Sequence, residues 1–359
     1  MRNLSSPTGP TSRGPVRRRR PRVLAPAAAL LLGSALLTAC GDSSDSGGST
    51  TVSIGSNGNI FSMSLELAQS GGYFEKRGVK VKLVQVTSST GTAALQSGSI
   101  QFLNNSPNGF MSALAKKVPE TAVALTGGGN PLGLVVSKKF ADAHRLTAET
   151  PGEQVARALD GSKGGASSPN TKAESSLFLQ KRGVDPTKVK WVSLPSASAN
   201  KAALTSGQID WFVTSEPIPL QIQNDGDGVV VVDPKKAPEW SAAQAGYGEF
   251  LVANKRYLAD NGETTKKVVA AVQEATNYLG THGADATVLN VARKAMSGIP
   301  DPVLKSSIEL VEWPKAAAMD QAGWTKTAAF VHSLGEGSAE TKVTKDDWTN
   351  QYVTEGGQS

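Results

Sequence analysis

The chain repeats itself at an interval of 105 to 109 residues. Residues 73–79 read YFEKRGV and residues 178–184 read FLQKRGV, while residues 94–103 read ALQSGSIQFL and residues 203–212 read ALTSGQIDWF. Each copy runs through Lys-Arg-Gly-Val, a Val/Lys-rich segment (79–86 and 189–194), a polar loop, an Ala-rich segment, a Ser-Gly stop and an Ile-x-aromatic run. The order helix, strand, helix, strand therefore occurs twice. Alternating elements of this kind call for βαβ units with right-handed crossovers, so the repeat specifies a two-lobed α/β protein.

The glycines of the repeat fix its punctuation. Gly78 and Gly183 stand where a helix ends and the backbone needs positive φ, with basic residues in the last turn facing the negative end of the helix dipole. Gly98 and Gly207 repeat the device one helix later. The runs that follow (VKVKLVQV, VKWVSL, IQFLN, IDWFV) are β-branched and apolar, as strands of a covered parallel sheet should be. Between the two copies, Gly127-Gly128-Gly129-Asn130-Pro131 reads as a crossover leading into a strand at 132–137. Gly246-Tyr247-Gly248 reads as the return crossover before a strand at 249–254, with Tyr247 at the edge of the cleft. Amphipathic segments at 263–279 and 284–296, and the helical or mixed material running to Val353, are expected to pack on the first lobe.

Charge separates the N-terminus from the rest. The formal charge is +6, yet residues 1–39 hold seven arginines and no acid, which leaves 30 basic against 31 acidic residues beyond them. The body of the chain thus has no electrostatic case for nucleic acid. Residues 1–39 read as an export signal: arginines at 17–22 precede an apolar stretch at 23–37, too short and Ala-rich for a comfortable membrane span. Leu37-Thr38-Ala39-Cys40 matches a bacterial lipobox, which makes Cys40 the expected site of lipidation, and two or more acyl chains hold a protein durably on a membrane. Residues 40–50 read as a polar, flexible tether. Arg22 sits where twin-arginine export wants an apolar residue, which favours the general secretory route. Cys40 is the one cysteine, so no disulfide, zinc-thiolate site or catalytic cysteine is available downstream.

In open parallel sheets, ligands sit beyond the carboxyl ends of the strands, where the next helices begin. The loops at those positions are residues 56–59, 88–91, 104–107, 167–171, 195–197 and 214–217, nearly all Ser, Thr, Asn or Gly. Candidate ligand contacts are Asn57, Thr90, Asn105, Ser106, Ser168, Asn170, Thr171, Ser196 and Glu216. These residue types are also the usual helix caps: Ser106-Pro107 reads as an N-cap with proline at the first helical position, and Thr171 with Glu174 as a capping box. The two readings are compatible, because a helix start open to a cleft offers free N–H donors and about half a positive charge. Glu216, the only charged residue among these loops, is either a solvated loop carboxylate or, if it faces the cleft, a partner for an amine or amino-heterocycle.

Catalysis has little support. His144, His282 and His332 lie far apart with no metal-ligand spacing, and no GxSxG, HExxH or EF-hand pattern occurs. No cofactor or metal is expected.

Residues 68–81 (around Gly72-Tyr73-Phe74 and Gly78-Val79), 89–102 (around Ala94-Leu95-Gln96-Ser97-Gly98), 183–192 (GVDPTKVKWV) and 202–211 (AALTSGQIDW) resemble the substrate-binding proteins of ABC importers for sulfonates, taurine, nitrate and the thiamine pyrimidine precursor. The resemblance spans most of residues 52–353. It implies the type II periplasmic-binding-protein fold, two Rossmann-like lobes joined by two crossover segments with C-terminal helices on lobe 1. The expected division is 51–131 with 249–359 for lobe 1 and 132–248 for lobe 2. It also implies capture of a small polar solute and delivery to a membrane permease, by a monomer tethered outside the cell membrane. The chain departs from the family at 159–166, where LDGSKGGA makes a weak strand. Glu216-Pro217 stands where sulfonate binders tend to have Asp-Pro and looks more like members that bind aminopyrimidines. The cysteine-rich motif of related pyrimidine-making enzymes is missing. The other readings are a surface adhesion or signalling module without a small ligand, and an extracytoplasmic enzyme on the same fold.

Overall fold

A computed structural model describes residues 51–335 and 341–354. The expected signal at 1–39, lipidation at Cys40 and tether at 40–50 lie outside the described residues. Among the described residues no helix is long and apolar enough to cross a membrane.

The first run of the chain is β1 (Thr51–Ser56), α1 (Met63–Ser70), β2 (Lys80–Gln85), α2 (Ser88–Ser97), β3 (Phe102–Asn105), α3 (Pro107–Ala115) and β4 (Glu120–Gly128). The second is β5 (Leu132–Ser137), α4 (Lys138–His144), α5 (Gly152–Ala158), β6 (Lys163–Ala166), α6 (Pro169–Lys181), β7 (Lys190–Ser193), α7 (Ala197–Thr205), β8 (Trp211–Ser215), α8 (Ile218–Asn224), β9 (Gly228–Val232) and α9 (Ala242–Ala245). The chain ends with β10 (Tyr247–Asn254), α10 (Lys255–Asp260), α11 (Gly262–His282), α12 (Ala286–Ala295), α13 (Asp301–Glu309) and α14 (Gln321–Ser333).

These strands form two five-stranded sheets, β2-β1-β3-β10-β4 and β7-β6-β8-β5-β9. The two orders are the same path drawn twice. In each, the fourth strand is the one that has just crossed from the other sheet, and it runs antiparallel to both its neighbours. The sheets are therefore mixed, not wholly parallel as the apolar runs suggested. The outermost strands β2 and β7 are only half-covered, which is why β2 alternates Lys with apolar residues (KVKLVQ) and β7 begins and ends on polar ones (KWVS).

Gly78, Gly98, Gly183 and Gly207 all have φ between 69° and 79°, the left-handed region that ends each repeated helix. The weak strand at 159–166 resolves to β6, in register with β7 from Lys163 opposite Lys190. Its glycines have a packing reason. A Cβ on Gly164 would lie 2.9 Å from the Trp211 ring, and one on Gly165 would lie 2.4 Å from Asn200 Oδ1.

Two sequence boundaries move. Gly127 and Gly128 belong to β4, leaving only Gly129 to Pro131 as connection, because a Cβ on Gly127 would meet the Phe61 ring at 2.3 Å. These glycines serve close packing, not only a swivel. Likewise Tyr247 and Gly248 belong to β10, and Gly246 alone ends α9 with φ 77°. Tyr247 turns away from the cleft. Its ring meets Trp324 edge-on at 5.3 Å, and its hydroxyl accepts from the Asp320 N–H at 2.8 Å.

The C-terminal helices cover both faces of the first sheet. On one face Val268, Val269, Val272 and Ala275 of α11 join Val52, Ile54, Leu65 and Leu67. On the other, Trp324 of α14 packs against Phe110 and Phe250 at 5.4 and 4.8 Å. With both faces thus buried, the sheet edges that carry the helix starts are left as the polar surface.

Candidate functional site

A cavity of about 760 Å³ lies between the two sheets and is lined by residues from both. From the first come Asn57, Gly58 and Asn59 after β1, Phe61, the middle of α2, and Ser106, Asn108, Gly109 and Ser112 of α3. From the second come Ser168 to Thr171 and Glu174 at the start of α6, Ala197 at the start of α7, and Thr214 to Ile218 after β8. Asn130, Gly248 and Glu249 line the wall where the chain crosses.

Six of the nine sequence candidates line this cavity: Asn57, Ser106, Ser168, Asn170, Thr171 and Glu216. Thr90, Asn105 and Ser196 do not. Thr90 is the third residue of α2, bonded back to Thr87, which is the true N-cap; the loop expected at 88–91 is already helix. The strip of α2 on the cavity is Thr92, Ala93 and Gln96, lower on the same helix. Asn105 is the buried last residue of β3 and sits behind Ser106. Ser196 caps α7 from outside the wall, accepting from the Ala199 N–H at 3.1 Å.

The polar residues that do line the cavity are largely engaged in capping. Ser106 Oγ accepts from the Gly109 N–H at 3.2 Å, and Asn57 Oδ1 from the Asn59 N–H at 3.1 Å. At α6 the capping box pairs Ser168 with Thr171, not Thr171 with Glu174 as the spacing suggested: Ser168 Oγ accepts from the Thr171 N–H and Thr171 Oγ1 from the Ser168 N–H, both at 3.1 Å. With proline at the first helical position, the N-cap is Ser168, three places earlier than the Thr-Glu pair requires. Glu174 lies along the cavity, buried to 5% exposure.

Glu216 is buried to 1% exposure. One oxygen, Oε2, accepts from the Leu220 N–H at 3.1 Å; the other, Oε1, has no hydrogen-bond partner. Room for it comes from β5, where a Cβ on Gly133 would stand 3.0 Å from Oε1. Burial pushes this carboxyl up to about 8, against the opposing pull of the Leu220 N–H and with a smaller push from Asp233. It is therefore a neutral acid at pH 7.

Sequence reasoning missed Glu249. It is a single acid in the apolar strand YGEFLVAN, where alternation gives no reason to turn it toward a ligand. The pairing of β10 with β4 slips on both sides of Glu249, and this bulge re-aims its side chain to the cavity. It is 1% exposed, its Oε1 has no partner, and burial alone lifts it to about 8. Against these buried acids the lining offers, among the described residues, a single basic side chain, the exposed Lys116.

A family model described as NMT1/THI5 like matches residues 59–286. No curated protein matches the sequence. Among solved structures, the periplasmic aliphatic sulphonate-binding protein SsuA of Escherichia coli is 19% identical with a TM-score of 0.66, over 84% of this chain and 92% of that one. The periplasmic nitrate-binding protein NrtA of Synechocystis PCC 6803 is 16% identical with a TM-score of 0.58, over 72% and 70%. The CA3427 gene product of Candida albicans, with the generic periplasmic-binding-protein fold, is 13% identical with a TM-score of 0.62, over 85% and 97%. At such identities the likeness establishes the fold, the two-lobed periplasmic-binding-protein architecture.

Proposed function

The chain belongs to the NMT1/THI5-like family, and from that premise we propose that it is the solute-binding protein of an ABC importer. It captures a small polar molecule between two lobes, 51–131 with 249–359 and 132–248, and delivers it to a membrane permease. It binds without chemical conversion and works as a monomer. Residues 1–39 are its export signal, Cys40 carries the lipid that holds it on the outer side of the cell membrane, and 40–50 are the leash.

One observation supports this reading above the others: the cavity between the sheets is lined by both, and the starts of α3 and α6 converge on it. A ligand that touches both walls stabilises the arrangement in which they are close, and only that differential contact can shift a population toward a closed form the permease recognises. Asn57, Ser106, Ser168, Asn170, Thr171 and Glu216 are the contacts in this reading; Thr90, Asn105 and Ser196, off the cavity lining, are not. The solute is a sulfonate, nitrate or an aminopyrimidine-like molecule, with Glu216 the partner of an amine where the ligand carries one.

Melting-shift titrations with sulfonates, nitrate and aminopyrimidines test the receptor reading. A ligand at 100 times its Kd adds about 2.7 kcal/mol to the folded state. A chain that no small solute stabilises is not a receptor. Cys40→Ser tests the anchor: the variant moves from the membrane to the soluble fraction, and retention on the membrane refutes lipidation at that residue.

A further inference from the structure

We infer that Glu249 is a second ligand-binding carboxyl, and that the cleft takes a small organic cation carrying N–H donors at two separate points, one held by Glu216 and the other by Glu249. This rests on the solute-receptor reading and narrows its ligand.

The unpartnered side-chain atoms on the cavity wall are all acceptors: Asn108 Oδ1, Asn170 Oδ1, Glu216 Oε1 and Glu249 Oε1. Leaving a buried acceptor unmatched is costly, so four of them around one space describe the ligand by what they lack, which is donors. Once ionised, the two carboxylates offer acceptors only, whichever way the two amides are turned. Charge points the same way. Three buried carboxyls, Glu174, Glu216 and Glu249, surround the cavity, and the one basic lining residue, Lys116, is exposed. Where these carboxyls are ionised, an anion entering here meets negative charge on both walls.

The backbone of the two acids is pinned to one short stretch of chain. Glu216 N–H donates to Pro131 O at 3.0 Å, and Glu249 is in register with Gly127. Their anchor points are thus four residues apart on one stretch of chain, at most ~14 Å. Both residues line the same cavity, so a single small molecule with nitrogens at two points reaches both. A diamine, a guanidine or an amidine has that chemistry. A sulfonate or nitrate, with acceptors on every side, does not.

Protonation gives the test its sign. In the empty cleft both carboxyls hold their protons near neutral pH, through burial in each case and with Asp233 adding to Glu216. Of the other charged groups nearby, Glu174 and Lys116 share the lining, and the Glu312 carboxylate is turned to the Ala242 N–H. A cation displaces the protons on binding, so its affinity rises with pH. An anion accepting from the neutral acids loses affinity over the same range.

Melting-shift and calorimetric titrations of the purified full chain with putrescine, agmatine and benzamidine, against methanesulfonate and nitrate, at pH 6.5, 7.5 and 8.5, decide the matter. The expected result is binding of a cationic probe that tightens up to ~10-fold per pH unit for each proton released and levels off above pH 8. Glu249→Gln and Glu216→Gln each weaken it at least tenfold and each flatten part of the pH dependence. Ligand-free melting at pH 6 checks that both variants fold. Binding of methanesulfonate or nitrate without the cations overturns the inference and leaves the receptor reading standing. Cation binding unchanged in Glu249→Gln overturns the role of Glu249. Failure of every probe, cation and anion alike, overturns both.

Discussion

Replacing Glu249 by glutamine should make the empty protein more stable at neutral and alkaline pH, and the size of the gain follows from burial. The Glu249 carboxyl titrates at about 8 in the fold, raised from the usual 4.5 by desolvation. Between those values the folded state holds a proton that the unfolded chain has released. Stability therefore falls as pH rises, fully retained below 4.5 and fully lost above 8. The interval of about 3.5 units, at about 1.4 kcal/mol per unit, sets an upper limit of about 5 kcal/mol. Glutamine has nearly the same shape and does not titrate. Urea unfolding of wild type and variant at pH 5, 6, 7 and 8 should give nearly equal stabilities at pH 5 and a variant several kcal/mol ahead at pH 8, at constant m-value. Glu120 and Glu216, also raised to about 8 by burial, tilt both curves alike and cancel in the difference. Two curves that stay parallel across this range would show that Glu249 is solvated or paired, and the case for a donor-bearing ligand would lose its second carboxyl.

Three further substitutions probe the frame around the cleft. Gly248→Ala puts a Cβ 2.1 Å from Gly129 O and 2.7 Å from the Phe61 ring, so the strands that cross between sheets must part; a loss of about 3 kcal/mol or more in urea unfolding is expected. Gly262→Ala is its control: nothing lies within 4 Å of the new methyl at the first position of α11, and a gain of up to about 1 kcal/mol is expected. Glu239→Gln removes the charge facing Arg182 Nη1 at 2.6 Å, in a pair less than a tenth exposed. The guanidinium stays buried against Phe178 and the Lys236 carbonyl, so a loss of about 3 to 5 kcal/mol should appear in the same assay.

What the sequence made legible was whatever the repeat carried. The two Lys-Arg-Gly-Val motifs and the two Ser-Gly stops require left-handed glycines after helices, and that is a local demand no tertiary context can alter. What it hid depends on pairing across the chain. Gly127 and Gly128 look like linker because glycine runs usually are; only the Phe61 ring pressed against them makes them strand. Glu249 looks like a stray acid in an apolar strand because a bulge is created by the partner strand and leaves no mark in its own sequence. The caps fall between these cases: Ser106 is readable from the proline behind it, while Thr90 reads as a loop residue because four hydroxyl residues at 87–90 offer several starts for one helix.

Glu216 marks the point where the two halves cease to be copies. By the repeat, Asn105-Ser106-Pro107 corresponds to Thr214-Ser215 followed by Glu216-Pro217. In the first half Ser106 caps α3 directly. In the second an extra residue separates serine from proline, α8 has no hydroxyl cap, and Glu216 Oε2 takes the Leu220 N–H instead. One carboxyl thus has two jobs: it caps a helix with one oxygen, and the other, without a partner, belongs to a residue of the cavity lining. The jobs are separable. Glu216→Ala removes both and should lose about 1 kcal/mol of stability for the missing cap as well as ligand affinity. Glu216→Gln can still accept from Leu220 with its carbonyl oxygen while turning an N–H₂ toward the cavity, so stability holds and only affinity falls. Equal stability losses in the two variants, measured by urea unfolding at pH 4 where the carboxyl is largely protonated both folded and unfolded, would show that Oε2 caps nothing and that the second half is built like the first.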